Sequence, residues 1–169
     1  MESSSHVKVR ARLIDYYIYI DYSEWLIGYA IIANEQVSEL IPKIGKLRHF
    51  KDVKYKKGYL SAAKRTFESL LIDNYLLKCR IMPLKDNLAA FVEVLDFVQK
   101  HDNCKIFASV DNKQFWSFVK LLSMIQHKDN ITVVKESELK KGSVEYQMSL
   151  IIDTKLNIER LSKKTRQSY

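Results

Sequence analysis

Four aspartates stand where a carboxylate could meet a metal ion. Asp21, Asp86 and Asp111 each follow an apolar run typical of a β-strand, and Asp153 lies inside the apolar segment 149–156. An Asp that follows a strand commonly accepts backbone N–H groups as a turn residue or helix N-cap, and Asp111 suits this role because a helical pattern follows it. Asp153 differs, because a buried carboxylate without a metal, a hydrogen-bond network or a proton is costly.

Carboxylates gathered at the ends of neighbouring strands suit divalent cations. Mg²⁺ prefers oxygen ligands, keeps several waters and is commonly held by one or two carboxylates plus phosphate oxygens of a substrate. Two such ions about 4 Å apart activate water and stabilise the leaving oxygen when a phosphodiester bond is cleaved. Cleavage of this kind would need Mg²⁺ or Mn²⁺ as cofactor.

Hydrophobic periodicity predicts the elements that position these acids. Residues 17–32 form two nearly continuous apolar runs around a polar turn, which indicates a central hairpin covered by helices on both faces. Alternation extends its first strand back to about Val7. Strands are also predicted at residues 78–84, 104–110 and 131–134, and helices at residues 60–77, 88–100 and 115–126. The predicted fold class is α/β, with a mixed central sheet, an N-terminal antiparallel hairpin, later parallel strands and helices on both faces.

Two points of this architecture stay open at the level of sequence. Residues 144–152 alternate as a strand would and also present one apolar helix face, so periodicity allows both. If the strand at 78–84 lies between the first strand and the strand at 104–110, Asp86 is nearer to Asp21 than Asp111 is.

Residues 162–169 are basic and polar, which predicts a frayed tail. No internal boundary is evident, so residues 1–169 are predicted to form one domain.

The charge balance favours a polyanionic partner. The 169 residues include 28 Lys and Arg against 20 Asp and Glu, a formal charge of +8, and the pI is near 9.3. Nucleic acid is the commonest such partner. The most basic segment, residues 46–58, fits a Lys-rich edge strand at residues 50–55 or a surface that contacts phosphates and stacks bases on aromatic rings. Its candidate nucleic-acid contacts are Lys46, Arg48, Lys51, Lys54, Lys56 and Lys57.

Composition also bears on compartment. Cys79 and Cys104 are too few for a disulfide scaffold and are expected to be reduced core residues. The first residues lack an apolar targeting segment, and no stretch approaches the roughly 18 to 20 apolar residues of a membrane span. A cytoplasmic location without a membrane partner is therefore expected. The four histidines lack a second metal ligand at i+3 or i+4 and are expected at the surface.

Several short motifs resemble a known superfamily. Asp21-Tyr-Ser-Glu24, followed by an apolar strand, resembles the opening of the ribonuclease-H-like superfamily, in particular an uncharacterised family whose first strand ends in Asp-Glu-Ser-Gly. Asp52-Val-Lys-Tyr55 is similar to that family's third strand, Glu-x-Lys-aromatic, and residues 106–111 are similar to its later strand ending in Asp. Leu150-Ile-Ile-Asp153 resembles its C-terminal helix motif, Leu-Gln-x-Ala-Asp. The chain departs from the pattern at Tyr22, Glu24 and Asp52, which replace Glu, Gly and Glu.

The resemblance implies a metal-dependent nuclease with a helical C-terminal segment. It implies Asp21, Asp111 and Asp153 as metal ligands and catalytic residues, with Asp52 as a further candidate, and strand-end geometry adds Asp86 to the candidate ligands. The predicted function is hydrolysis of phosphodiester bonds in nucleic acid with Mg²⁺ or Mn²⁺. The alternative is an inactive ribonuclease-H-like module for nucleic-acid binding or assembly, whose acids cap helices. A homodimer formed through an exposed edge strand is compatible with either.

Overall fold

A five-stranded mixed sheet forms the centre of the molecule. The structure, a computed structural model, describes residues 13–109, 111–125 and 130–166, so the expected extension of the first strand to Val7 lies outside the described residues. The strands are β1 (Tyr16–Ser23), β2 (Leu26–Ala33), β3 (Lys78–Pro83), β4 (Cys104–Ser109) and β5 (Ile131–Lys135). The helices are α1 (Asn34–Leu40), α2 (Lys56–Ser69), α3 (Asn87–Lys100), α4 (Asn112–Met124) and α5 (Val144–Arg166).

The strand order is β3-β2-β1-β4-β5. The hairpin β1–β2 and the pair β2–β3 are antiparallel, whereas β1–β4 and β4–β5 are parallel. This arrangement confirms the predicted α/β fold class with its N-terminal hairpin and later parallel strands. Because β4 lies directly beside β1 and β3 lies beyond β2, the arrangement that would have brought Asp86 closer than Asp111 to Asp21 does not occur.

Helices cover both faces of the sheet, and this explains the apolar runs of the hairpin. Tyr19 packs in a core with side chains from α1, α2 and α5. Its neighbours Ile18 and Ile20 point the other way, into a core formed with α3 and α4. Successive side chains of a strand alternate between faces, so Asp21 lies on the same face as Tyr19, the face that α5 covers.

The basic segment does not form the edge strand that one interpretation predicted. Residues Phe50–Asp52 form a 3₁₀ turn, in which the Asp52 N–H donates to the His49 carbonyl at 2.9 Å, and α2 begins soon after, at Lys56. Aromatic and Lys residues suggested a strand, but the i→i+3 bonds of this turn satisfy the backbone locally. The outer edges of the sheet are formed by β3 and β5 instead.

The C-terminal segment is helical, which settles the ambiguity of residues 144–152. α5 runs from Val144 to Arg166, so residues 162–166 of the expected frayed tail belong to the helix, and residues 167–169 lie outside the described residues. The predicted helix at residues 60–77 is shorter than expected. α2 ends at Ser69, and Leu71 then takes a left-handed conformation (φ 51°) that breaks the helix before a 3₁₀ turn.

Two further expectations concern cysteines and membranes. Neither Cys79 nor Cys104 forms a disulfide, and Cys104 is buried, as expected for a core residue. Within the described ranges, no helix is both long enough and apolar enough to cross a bilayer.

Gly28 permits the close packing of α5 on the hairpin. A Cβ at this position of β2 would lie 3.0 Å from the Arg80 carbonyl oxygen, 3.0 Å from Ile152 Cδ1 and 3.0 Å from Ile81 Cγ1. Contacts this short must be relieved by shifts of the backbone of β3 or of α5. Since Gly28 lies opposite Asp21 in the β1–β2 register, the spacing between the sheet and α5 is set beside Asp21.

Gly28→Ala should therefore destabilise the protein by about 1–3 kcal/mol, the usual cost of overpacking a well-filled core. The matched control is Gly58→Ala in α2, where a Cβ meets nothing within 4 Å and should stabilise the helix by up to about 1 kcal/mol. Urea unfolding followed by circular dichroism measures both. Equal midpoints for the two variants would contradict this account of Gly28.

Candidate functional site

Asp21 occupies the carboxyl end of the central strand β1. It pairs with Gly28 on β2 and with Ser109 on β4, and only 6% of its surface is exposed. Its Oδ1 accepts the Tyr22 N–H at 2.8 Å, and the Ser109 hydroxyl donates to the same carboxylate. The side chain is thus a buried acid with a small number of local donors.

Asp153 approaches from α5 and is equally buried, with 6% of its surface exposed. Its Oδ2 accepts the Phe50 N–H at 2.9 Å and lies 4.0 Å from Nδ1 of His49. The turn that contains Phe50 comes from the basic segment, so a loop distant in sequence closes over this carboxylate. The structure therefore gathers Asp21 and Asp153 at one edge of the sheet, as the sequence predicted.

Glu136 is a third acid of this site, and sequence reasoning missed it. It directly follows β5, on the 3₁₀ turn Glu136–Glu138, and it lies beside Ser149 of α5, whose hydroxyl donates to the Tyr146 carbonyl at 2.6 Å. An acid immediately after an apolar strand was the signal used for the other candidates, and the same rule would have found Glu136. Asp21, Glu136 and Asp153 are called the acidic cluster below.

Burial raises the pKa of every member of the acidic cluster, and the charges of other members raise it further for Asp21 and Glu136. Burial is the largest cause for Asp21, whose pKa lies well above its usual range, and the charges of Glu136 and Asp153 raise it further. Burial, together with Asp153, raises the pKa of Glu136 to about 7. Burial also raises the pKa of Asp153, although His49 and the Phe50 N–H act in the opposite direction. The cluster therefore binds protons, or another cation, more readily than exposed acids do.

A buried polar stripe on α5 holds the acidic cluster in place. Ser149, Asp153 and Asn157 recur every four residues, so they share one helix face, and each is at most 6% exposed. Asn157 Nδ2 donates to the Asp153 carbonyl at 2.7 Å, and its Oδ1 accepts the Ser23 hydroxyl at 3.1 Å. The stripe thereby joins α5 to the end of β1 by hydrogen bonds. Its four-residue period is a sequence signal that was not used.

The other predicted metal ligands lie outside the acidic cluster. Asp111 is exposed and its Oδ1 accepts the Gln114 N–H at 2.8 Å, so it caps α4 at the same sheet edge. Asp86 is exposed beyond β3, two strands from β1. Asp52 lies near the cluster, since its charge raises the pKa of Asp153, and it also pairs with Lys141 at 3.5 Å. The structure thus joins Asp21, Asp153 and Glu136, with Asp52 adjacent.

The candidate nucleic-acid contacts divide among three surfaces instead of forming one strip. Lys51 lines a cavity of about 260 Å³ beside Glu136 and His49. The rest line two grooves on the flanks of α2, one of about 620 Å³ that contains Lys46, Arg48 and Lys54, and one of about 1070 Å³ that contains Lys56 and Lys57. His49, expected at the surface, is half-buried against Asp153 instead, because the 3₁₀ turn brings it under the loop.

The hairpin turn beside Asp21 has a conformation that favours glycine. Glu24 has φ of 53°, in the left-handed region that few side chains adopt. Glu24 therefore occupies a backbone position that glycine would adopt more readily. The Glu24 carboxylate pairs with Arg160 and, at 3.4 Å, with Lys164.

The acidic cluster fits a divalent cation in its donor chemistry. Its carboxylate oxygens are the ligands Mg²⁺ and Mn²⁺ prefer, and their mutual repulsion would be relieved by a cation. Among the described residues, no group of three or more His, Cys, Asp or Glu is arranged to hold a metal ion. The space directly between Asp21 and Glu136 has no room for a water molecule. Mg²⁺ commonly uses one or two carboxylates plus substrate oxygens. The donor set therefore suits a site that opens to admit the cation and whose coordination shell is completed by substrate oxygens.

Two comparisons with known proteins find no match. No protein-family model matches the chain, and no curated protein matches it. The function proposed below therefore depends on the geometry of this chain.

The acidic cluster should make stability fall as pH rises. Burial raises the pKa of Glu136 from an ordinary 4.5 to about 7. Between these values the folded state binds more protons than the unfolded state, so the free energy of unfolding decreases with pH across this window. In metal-free buffer, Glu136→Gln should be more stable than wild type at pH 8 by about 1–3 kcal/mol, since one pKa unit corresponds to about 1.4 kcal/mol, and nearly equal to it at pH 4.

Urea unfolding between pH 4 and pH 8 measures this difference. The matched control is Glu138→Gln, an exposed acid of the same turn, which should follow the wild-type pH profile. Parallel profiles for wild type and Glu136→Gln would show that Glu136 is not destabilised by its surroundings.

Proposed function

We propose that this chain is a ribonuclease-H-like nuclease that uses Mg²⁺ or Mn²⁺ to hydrolyse phosphodiester bonds in nucleic acid. The observation that supports it is that buried Asp21 and Asp153 and half-buried Glu136 lie together at the carboxyl ends of the central strands. Three desolvated carboxylates repel one another, and a stable fold retains such an arrangement at a cost. A bound cation is the simplest source of compensation, and the formal charge of +8 suits a polyanionic substrate.

In this proposal the side chains have separate roles. Asp21 and Asp153 hold the cation, which when bound supplies activation of water and neutralisation of phosphate charge. Glu136, with a pKa raised to about 7, can hold or release a proton at its carboxylate near neutral pH, as a general acid or base must. Lys51 and His49 line the adjacent cavity and offer positive charge and hydrogen-bond donors to a phosphate.

Asp21→Asn and Asp153→Asn should each reduce metal-dependent cleavage of labelled oligonucleotides at least about a hundredfold, because each removes a ligand to an ion that stabilises the transition state. Both variants should fold, since the neutral amide relieves repulsion within the acidic cluster. Mn²⁺ should raise the melting temperature of wild type and have little effect on either variant.

Asp96→Asn is the matched control, because Asp96 is an exposed acid of α3 paired with Lys100, and it should cleave as wild type does. Asp111→Asn tests whether Asp111 is a helix cap or a metal ligand. Asn caps a helix nearly as well as Asp but carries no charge, so cleavage should be retained if Asp111 is only a cap and lost if it is a ligand. Absence of metal-dependent cleavage in wild type, with no thermal shift on adding Mn²⁺, would refute the proposed nuclease.

The second candidate is a module that keeps the fold without the chemistry. The closed space between Asp21 and Glu136 and the capping role of Asp111 favour it. Such a protein would retain nucleic acid through its basic surfaces, and protons alone would neutralise its acidic cluster. A homodimer through an edge strand, β3 or β5, is compatible with both functions, and a cytoplasmic location agrees with two free cysteines.

A further inference from the structure

A groove of about 1070 Å³ lies between α2 and α5. Five cations line it and no Asp or Glu is among its lining residues; the cations are Lys56, Lys57, Lys64, Arg160 and Lys164. Three of them, Lys64, Arg160 and Lys164, lie outside the basic segment that the sequence singled out. The groove therefore carries a concentration of positive charge that two distant segments build together.

The floor of the same groove is apolar. Phe50, Leu60, Ile158 and Leu161 line it between the cations, and Leu60 is almost fully buried. A duplex keeps its bases inside the helix and presents phosphates and sugars, which gain little from an apolar floor. A single strand exposes base faces as well as phosphates and can use both features.

Arg160 shows that the groove has a polar group without a protein partner. Its Nη2 donates to Asn157 Oδ1 at 3.0 Å, its Nη1 pairs with Glu24, and its guanidinium lies 5.4 Å from the centre of the Phe50 ring. Its Nε is buried and has no hydrogen-bond partner. A buried unpaired donor is costly, and an anion in the groove would satisfy it only by drawing the Arg160 guanidinium away from Glu24.

Phe50 lies between the groove and the acidic cluster. It lines the groove, and its backbone N–H donates to Asp153 Oδ2 at 2.9 Å. A single residue therefore separates one end of the groove from the buried carboxylates.

We propose that the groove between α2 and α5 binds single-stranded nucleic acid, with its phosphates on the five cations and its bases on the apolar floor. This inference rests on the proposed function for its polyanionic ligand and extends it to a substrate class. Glu24 occupies the position of an anion against Arg160 and Lys164, so the incoming strand competes with this carboxylate.

Fluorescence anisotropy of labelled oligo(dT) and oligo(U) of about 15 nucleotides tests the groove, in EDTA so that no cleavage is needed. The variant is Lys57→Ala with Lys64→Ala. It should weaken binding about tenfold at 0.1 M salt and reduce the slope of log affinity against log salt by about 1.4, or about 0.7 for each lost phosphate contact. The matched control, Lys113→Ala with Lys120→Ala, removes two exposed cations from α4 on the opposite face and should bind within twofold of wild type.

Glu24 provides a test in the opposite direction. Glu24→Gly should tighten binding about twofold to fivefold, because it removes the carboxylate that pairs with Arg160 and Lys164, and glycine suits the left-handed backbone. Glu24→Gln removes the charge without helping the backbone and should tighten binding equally.

Three results would contradict the binding of single-stranded nucleic acid in the groove. These are equal losses of affinity in the groove and control variants, tighter binding of a duplex of the same length, and displacement of the oligonucleotide by polyglutamate at equal charge concentration. The proposed groove function and the proposed nuclease activity can be contradicted independently. Selective loss of binding in the groove pair with no cleavage by wild type supports the groove alone, whereas cleavage by wild type with unchanged binding in the groove pair overturns the groove alone.

Discussion

The like charges of two buried carboxylates, one on β1 and one on α5, are the constraint on which the other features depend. Asp21 and Asp153 both lose water when α5 packs on the hairpin, and their like charges meet in a medium that screens poorly. The arrangement persists because local donors surround each acid. Those donors come from the end of β1, from β4, and from the turn at residues 49–51, so every segment around the site is tied to the electrostatics of this pair.

The same constraint explains why α5 buries polar side chains as well as apolar ones. Its buried side carries Met148, Ile152 and Leu156 in the core, and beside them a polar stripe of Ser149, Asp153 and Asn157. Each member of the stripe forms hydrogen bonds with the protein. A satisfied polar stripe fixes the rotation and register of a helix more narrowly than an apolar face does, because a shift of one residue would leave several polar groups unpaired.

Much of the fold was readable from the sequence, because hydrophobic patterning reports burial directly. The continuous apolar runs of β1 and β2 predicted a sheet covered on both faces, and the carboxyl ends of strands predicted where acids would gather. The long helix at the C-terminus was undecided, since a helix buried along most of one side and polar on the other satisfies both periodicities over nine residues. Glu136 was missed because it lies in the polar segment 135–142, where an acid is usually an exposed surface residue.

The basic segment shows the limit of reading function from local composition. Its cations are neighbours in sequence, but a 3₁₀ turn and the first turn of α2 rotate successive side chains by about 100° or more, so they reach different surfaces. The groove between α2 and α5 could not be foreseen for the converse reason. Its cations lie about 100 positions apart in the chain, and only the packing of the two helices brings Lys64 and Arg160 to the same groove.

The position of α5 in the chain has a consequence for biosynthesis. Ribosomes make proteins from the amino end, so all five strands are produced before the helix that covers Tyr19 and supplies Asp153. Until α5 emerges, only α1 and α2 cover this face of the nascent sheet, and Asp21 and Glu136 lack their neighbour Asp153. A prematurely terminated product would thus expose the apolar side chains that α5 normally buries and would be prone to association.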